Sequence, residues 1–389
     1  MAPQSAEPPQ QRSAISADRI FDGTRWHDNA AVVIRQGLIE GIAPRDQIIP
    51  DTPTQAMPPG TLLAPGFIDL QVNGGGGILL NDDPSPVAMR AIARAHRRTG
   101  TTACLPTLIS DHRAKAVAAI AAATSVAGSD GILGLHLEGP FISPARPGIH
   151  RSDCIVPAKA GDLDWLGALA AAGSSLVTLA PECVPDGFIK TLASRGIRVS
   201  AGHSEASSDI LSAAIDDGLS GVTHLFNAMP AMSARVPGIV GVALADRRLT
   251  AGIILDGIHV DPLVARAAFA AKPRDTMALV SDAMPTVGTS QDRFELMGRQ
   301  IRLCNGRLVS DDGTLAGAHL ALASAVKNAV TLVGLSLDDA LRAASLVPAR
   351  FLGLDRKRGA LTAGARADIV ALTADLEVVA TWLAGERVE

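Results

Sequence analysis

Several classes of protein are excluded by what this chain has little of. Its four cysteines, Cys104, Cys154, Cys183 and Cys304, stand far apart and form no Cys-x-x-Cys pair, so neither a disulfide scaffold nor a zinc ribbon is expected. Neither sign of charge dominates: 35 Lys and Arg face 39 Asp and Glu, a formal charge of −4. That balance argues against nucleic acid as a partner, although a few local cations could still hold a small anion. No run of about 18 uninterrupted apolar residues occurs, so no membrane span or membrane partner is expected. Residues 1–13 are rich in Pro and Gln and lack the basic-then-apolar order of a secretory signal. They read as a disordered tail, and the expected location is the cytoplasm. The glycines at 74–77 do not form a G-x-G-x-x-G fingerprint and no helix opens directly after them. They predict a flexible loop, not a dinucleotide site.

What is present points to a large enzyme-sized core. Hydrophobic residues make up 47% of the 389 and charged residues 19%, and α/β barrels of about 250 residues commonly fold as one unit. The middle of the chain alternates short apolar runs with helical segments, the pattern of repeated β-α units. Eight strands are expected at 66–72, 102–109, 132–138, 176–180, 198–203, 222–226, 250–255 and 277–281. Several are almost continuously apolar, as parallel strands buried on both faces must be. Ser85-Pro86 and Gly100 bracket one helix, Ser208 and Gly218 another, and the Ala-rich run at 117–127 reads as a packed helix. The flanks are β-rich and broken by Gly and Pro. The expectation is an α/β fold: a (β/α)8 TIM barrel over 64–356, with a small β-sandwich formed by 14–63 together with 357–389. Residues 293–313 read as a β-hairpin excursion.

In such a barrel the reacting groups project from the C-terminal ends of the strands. The polar residues there are Gln71 and Asn73 after the first strand, Glu138 after the third, His203 after the fifth, His224 in the sixth and Asp282 after the eighth. Two imidazoles and a carboxylate with an open fourth position describe a catalytic divalent metal site. Such an ion acidifies a bound water and polarises a carbonyl, and a further carboxylate, Asp282, can carry the proton to a leaving nitrogen. Hydrolysis of an amide or ester follows. Each residue also has a plainer use: Glu138 as a helix cap or loop acid, His203 and His224 as satisfied core histidines, Asp282 as the cap of the next turn. Met229 and Met232 read as packing.

The motifs resemble the amidohydrolase superfamily, and within it the N-acetylglucosamine-6-phosphate deacetylase family. They run from Pro65-Gly66-Phe67-Ile68-Asp69 through His136-Leu137-Glu138-Gly139-Pro140-Phe141, Gly202-His203-Ser204 and Thr223-His224-Leu225-Phe226-Asn227-Ala228-Met229. Asp256-Gly257-Ile258-His259 and Ser281-Asp282-Ala283 follow in the same order. The resemblance implies that Glu138, His203 and His224 hold the metal, that Asp282 is the general acid and base, and that His259 polarises the acetyl carbonyl or fixes the sugar. It implies further that Ile149, His150, Asn227 and Ala228 line the sugar pocket. Arg235 would meet the phosphate, Leu315, Ala316 and Gly317 would close over the acetyl group, and the protein would be a homodimer. Many amidohydrolases carry His-x-His at the end of the first strand for a second metal; here those positions are Gln71 and Asn73, and no lysine ends the fourth strand. One divalent ion per subunit is therefore expected, zinc first, with iron(II), manganese or cobalt as alternatives, and Gln71 would bond a water near it. The substrate this implies is a phosphorylated amino sugar. Two other readings stay open: an amidohydrolase acting on a cyclic amide, and a catalytically dead barrel used for binding.

Overall fold

A computed structural model describes residues 12–388. Eight parallel strands form one ladder in chain order: β1 Phe67–Val72, β2 Thr101–Ile109, β3 His136–Glu138, β4 Leu176–Leu179, β5 Arg198–Ala201, β6 Gly221–Val222, β7 Thr250–Ile253 and β8 Met277–Leu279. The seam between first and last closes just beyond β8, where Val72 bridges Ala283 and the Asp282 amide donates to the Gln71 carbonyl at 3.1 Å. All eight expected strands are present, most of them shorter at the C-terminal end. The sixth stops at Val222 because His224 and Phe226 lie at φ +32° and +79°, outside any strand conformation. The chain leaves the sheet where its chemistry begins.

The helices around the barrel follow their punctuation. Helix α1, Pro86–Arg97, is capped by Ser85 Oγ, which accepts the Ala88 amide at 3.1 Å, and Gly100 beyond it sits at φ +89°. Helix α2, Arg113–Val126, lays Ala116, Ala119, Ile120 and Ala123 against the core. The helix expected to begin at a Ser208 cap is capped by Ser207 instead, whose hydroxyl accepts the Ile210 amide.

The two ends of the chain build one further sheet. Its path runs through Leu38–Pro44, Trp26–Arg35, Arg12–Phe21, Leu62–Pro65, Ile369–Leu372, Val378–Leu383 and Glu386–Val388. The sheet curls on itself, since Leu38 bridges Arg366 and the Ile39 amide meets the Ala365 carbonyl at 2.8 Å. Ile15, Ile20, Val32, Leu63, Ile369 and Trp382 fill its interior, a core separate from that of the barrel.

Three expectations change. The tail expected at 1–13 lies outside the described residues up to residue 11, while Arg12 and Ser13 are already paired with Arg35 and Ile34. The excursion at 293–313 is a three-stranded antiparallel sheet, Arg293–Leu296, Arg299–Cys304 and Arg307–Ser310, and not a single hairpin. The first half of the glycine run is packed, while Gly76 and Gly77 are exposed. Gly74–Gly75 pairs with Ile78–Leu79, and a Cβ at Gly74 would lie 2.4 Å from the Ile78 carbonyl oxygen. Among the described residues no helix is long and apolar enough to cross a membrane.

Candidate active site

Glu138 ends β3, and its Oε1 lies 2.8 Å from His224 Nε2 and 3.2 Å from His203 Nε2; the two Nε2 atoms are 3.1 Å apart. His203 Nδ1 meets the Arg146 carbonyl at 2.8 Å, so that nitrogen carries the proton and Nε2 presents a lone pair. Three electron-rich atoms thus converge inside the barrel mouth, all within about 3 Å of one another, a grouping that repels itself unless a cation or a proton sits among them. Burial disfavours the Glu138 carboxylate, yet the two imidazoles hold it well below the usual carboxylate range, and Glu138 in turn draws positive charge onto His224. Two imidazoles, one carboxylate and an open cavity in front are the donor set of a catalytic divalent metal, and they fit such an ion. A nitrogen of His150 also comes within 4.8 Å of donor atoms of Glu138 and His203.

Asp282 follows β8 at φ +50°, and His203 and His224 are likewise left-handed at +49° and +32°. Non-glycine residues adopt this conformation only where surrounding structure imposes it, and such strain gathers at functional sites. One oxygen of Asp282 is occupied: Oδ1 accepts from Asn73 Nδ2 at 2.6 Å and from Gln71 Nε2 at 3.0 Å. Gln71 Nε2 also donates to Glu138 Oε2 at 3.0 Å, so this amide joins the Asp282 and Glu138 carboxylates. Burial, reinforced by the charge on Glu138, pushes the Asp282 carboxyl up to about 6. Asn73, read from the sequence only as a missing metal ligand, is thus one of two amides that hold Asp282.

His259 lies after β7, where Asp256 accepts its Nδ1 at 2.6 Å and the backbone amides of Ile258 and His259 at 2.8 Å each. The signal for this brace was in the sequence: an Asp three residues before a His, in a turn that contains Gly257.

Asn73, Glu138, His203, His224, His259 and Asp282 open on one cavity of about 390 Å³. Ile149, His150, Asn227 and Ala228 line it as expected, with His259, Leu315 and Gly317. Two expected residues do not. Ala316 is fully buried in a small apolar cluster with Ile149 and Met284, because its neighbours Leu315 and Gly317 take the cavity side. Arg235 is exposed and outside the lining; it belongs to residues 231–236, an outward loop set between Pro230 and Pro237. The only Arg or Lys among the described lining residues is Arg146, whose Nε donates to Glu205 at 3.0 Å. Met229 packs in the core as expected, whereas Met232 is 54% exposed on the same outward loop as Arg235.

Comparison with known proteins agrees with this geometry. Residues 62–388 match the family described as "Amidohydrolase family". An N-acetylgalactosamine-6-phosphate deacetylase of Shewanella sp. (strain ANA-3) is 40% identical over 367 residues, 92% of this chain and 91% of that protein. The N-acetylglucosamine-6-phosphate deacetylase of Homo sapiens is 38% identical over 347 residues, covering 85% and 84%. The crystal structure of the N-acetylglucosamine-6-phosphate deacetylase from Pasteurella multocida superposes with a TM-score of 0.92 at 33% identity, covering 97% of this chain and 99% of that one.

Proposed function

Because the chain belongs to the amidohydrolase family, we propose that it removes the acetyl group of N-acetyl-D-glucosamine 6-phosphate, yielding D-glucosamine 6-phosphate and acetate. The observation that carries this is the meeting of Glu138, His203 and His224 with Asp282 in one cavity, Asp282 held on one oxygen only. A single divalent ion, zinc first, would be held by Glu138, His203 and His224; when bound it supplies an acidified water and a polarised acetyl carbonyl. The protein groups do the rest. Asp282 takes the water proton on Oδ2, the oxygen the two amides leave open, and returns it to the departing nitrogen. At neutral pH a carboxyl displaced to about 6 is mostly ionised yet still basic enough to be protonated in passing. His259, held by Asp256, and His150 bind the acetamido sugar. Leu315 and Gly317, which line the same cavity, cover it.

Arg235 is the proposed phosphate cation. Its exposure favours a homodimer in which this loop, bearing the exposed Met232 and Val236, lies at the subunit contact. The C4 epimer, N-acetylgalactosamine 6-phosphate, is a second reading, favoured by the 40% identical relative. A cytoplasmic location completes the proposal. Acetate release from both 6-phosphates and from their unphosphorylated forms, with elemental analysis of the purified protein, tests it. Release from neither 6-phosphate would overturn it.

A further inference from the structure

His150 stands among metal-ligating groups without an assigned reason for not being one of them. Its ring centroid is 4.5 Å from that of His203, and one of its nitrogens is close enough to Glu138 and His203 to share an ion with them. The reason lies in what Nδ1 accepts. The backbone amide of Ser110, just past β2, donates to His150 Nδ1 at 3.3 Å, and Ser110 Oγ lies 2.8 Å from the same nitrogen. An amide N–H can only donate, so Nδ1 must be the bare nitrogen and the hydroxyl donates to it as well. A neutral imidazole with a bare Nδ1 carries its proton on Nε2. A protonated nitrogen cannot ligate a metal, but it can donate a hydrogen bond into the cavity that His150 lines.

We propose that Ser110 is a positioning residue that locks His150 as the Nε2–H tautomer, making it a hydrogen-bond donor to the bound sugar and keeping it out of the metal's ligand set. Local sterics support the lock. Gly139 sits at φ +85° against Ser110, and a Cβ there would come 2.1 Å from the Ser110 hydroxyl. The bare glycine leaves that hydroxyl its place between Glu138 and His150. Both residues are almost fully buried, so water does not compete for Nδ1.

The sugar-donor part of this inference rests on the deacetylase reading; the tautomer does not, and the two are measured separately. Long-range proton–nitrogen correlation spectra of the zinc-loaded protein, labelled with 15N-histidine, should show a non-protonated Nδ1 and a protonated Nε2 for His150, identified by its loss in His150→Gln. A protonated Nδ1 in the wild type would overturn the proposal even if the enzyme proves to be a deacetylase. Ser110→Ala should let the ring exchange between tautomers and raise KM for the acetylated sugar phosphate about tenfold with little change in kcat, the scale of one hydrogen bond. Ser110→Thr, which keeps the hydroxyl, should restore both readouts. An Ala variant with unchanged tautomer and unchanged KM would equally overturn the role of Ser110. Absence of turnover on any acetylated sugar phosphate, with the tautomer as described, would instead remove the functional reading and leave the lock standing.

Discussion

The inner and outer ends of the cavity are built differently. At the inner end the groups leave the ends of strands, and most of their polar atoms are spoken for: His203 by the Arg146 carbonyl, Asp282 by Gln71 and Asn73, His259 by Asp256. At the outer end Arg146, half-buried, is paired with Glu205, and Arg235 rides an exposed loop outside the lining. Chemistry that moves a proton between fixed atoms needs positions held to a fraction of an ångström, which strand ends and braced side chains supply. Recognition of a charged, water-facing group tolerates looser parts and can borrow from a second subunit. The difference makes the inner end sensitive in kcat and the outer end sensitive in KM.

The sharpest way to break that contrast is to take the metal away. Chelation should reduce acetate release to background, zinc should restore it, and elemental analysis should find one ion per chain. Two tightly held ions would give Gln71 and Asn73 a role they are not expected to have. Next in size is Asp282→Asn, which should lower kcat by about 10²–10⁴-fold, the usual share of a general acid and base, while metal content stays at the wild-type level. A variant retaining most of its kcat would assign the proton to another group.

Asn73→Ala, which frees Asp282 Oδ1 from its shorter bond, should cost roughly 10–100-fold in kcat, as the loss of supporting groups around metal sites commonly does. It also shifts a pH limb. Asp282 must be ionised to take the proton, so wild-type kcat should rise as pH passes upward through about 6. The Asn73 hydrogen bond lowers that pKa, so its removal should move the limb to higher pH; a limb that stayed in place or moved down would contradict the assignment. Smallest, and confined to KM on the outer side, is Arg235→Ala. It should raise KM for the 6-phosphate sugar by about tenfold or more, the scale of a hydrogen bond to a charged group, and leave the unphosphorylated sugar unaffected. Equal losses on both substrates would erase the distinction between the two ends.

Much of the fold was legible because burial on both faces of a parallel strand leaves a nearly continuous apolar run, and all eight barrel strands were located that way. Five of their C-terminal ends fell short of expectation, and after the fifth and sixth strands His203 and His224 take left-handed conformations. The first half of the glycine run at 74–77 was misjudged as a free loop, because the packing of Gly74 against Ile78 and Pro285 comes from tertiary neighbours that composition does not show. At the site, the residue types and their order carried Glu138, His203, His224 and Asp282. The braces were mostly invisible. Asn73 and Gln71 reach Asp282 across 209 and 211 residues, and Ser110 reaches His150 across 40; only the short-range Asp256–His259 pair had a local signature. Ala316 was placed over the acetyl group by resemblance, and the structure buries it in an apolar cluster with Ile149 and Met284.

The amino-acid order by itself determined the β-α period, the two β-rich flanks, and a set of carboxylate and imidazole side chains placed at or just past strand ends. Periodicity and residue chemistry are local properties, so they can be read along one dimension. Closure of the barrel alone decided which atoms meet: that Glu138 Oε1 faces two imidazole nitrogens, that Asp282 keeps one oxygen free, and that His150 turns a bare nitrogen to Ser110. Those pairings join residues up to 211 positions apart; they exist because the sheet brings different strand ends to one mouth, and those of Gln71 and Asn73 with Asp282 cross the seam between its first and last strands.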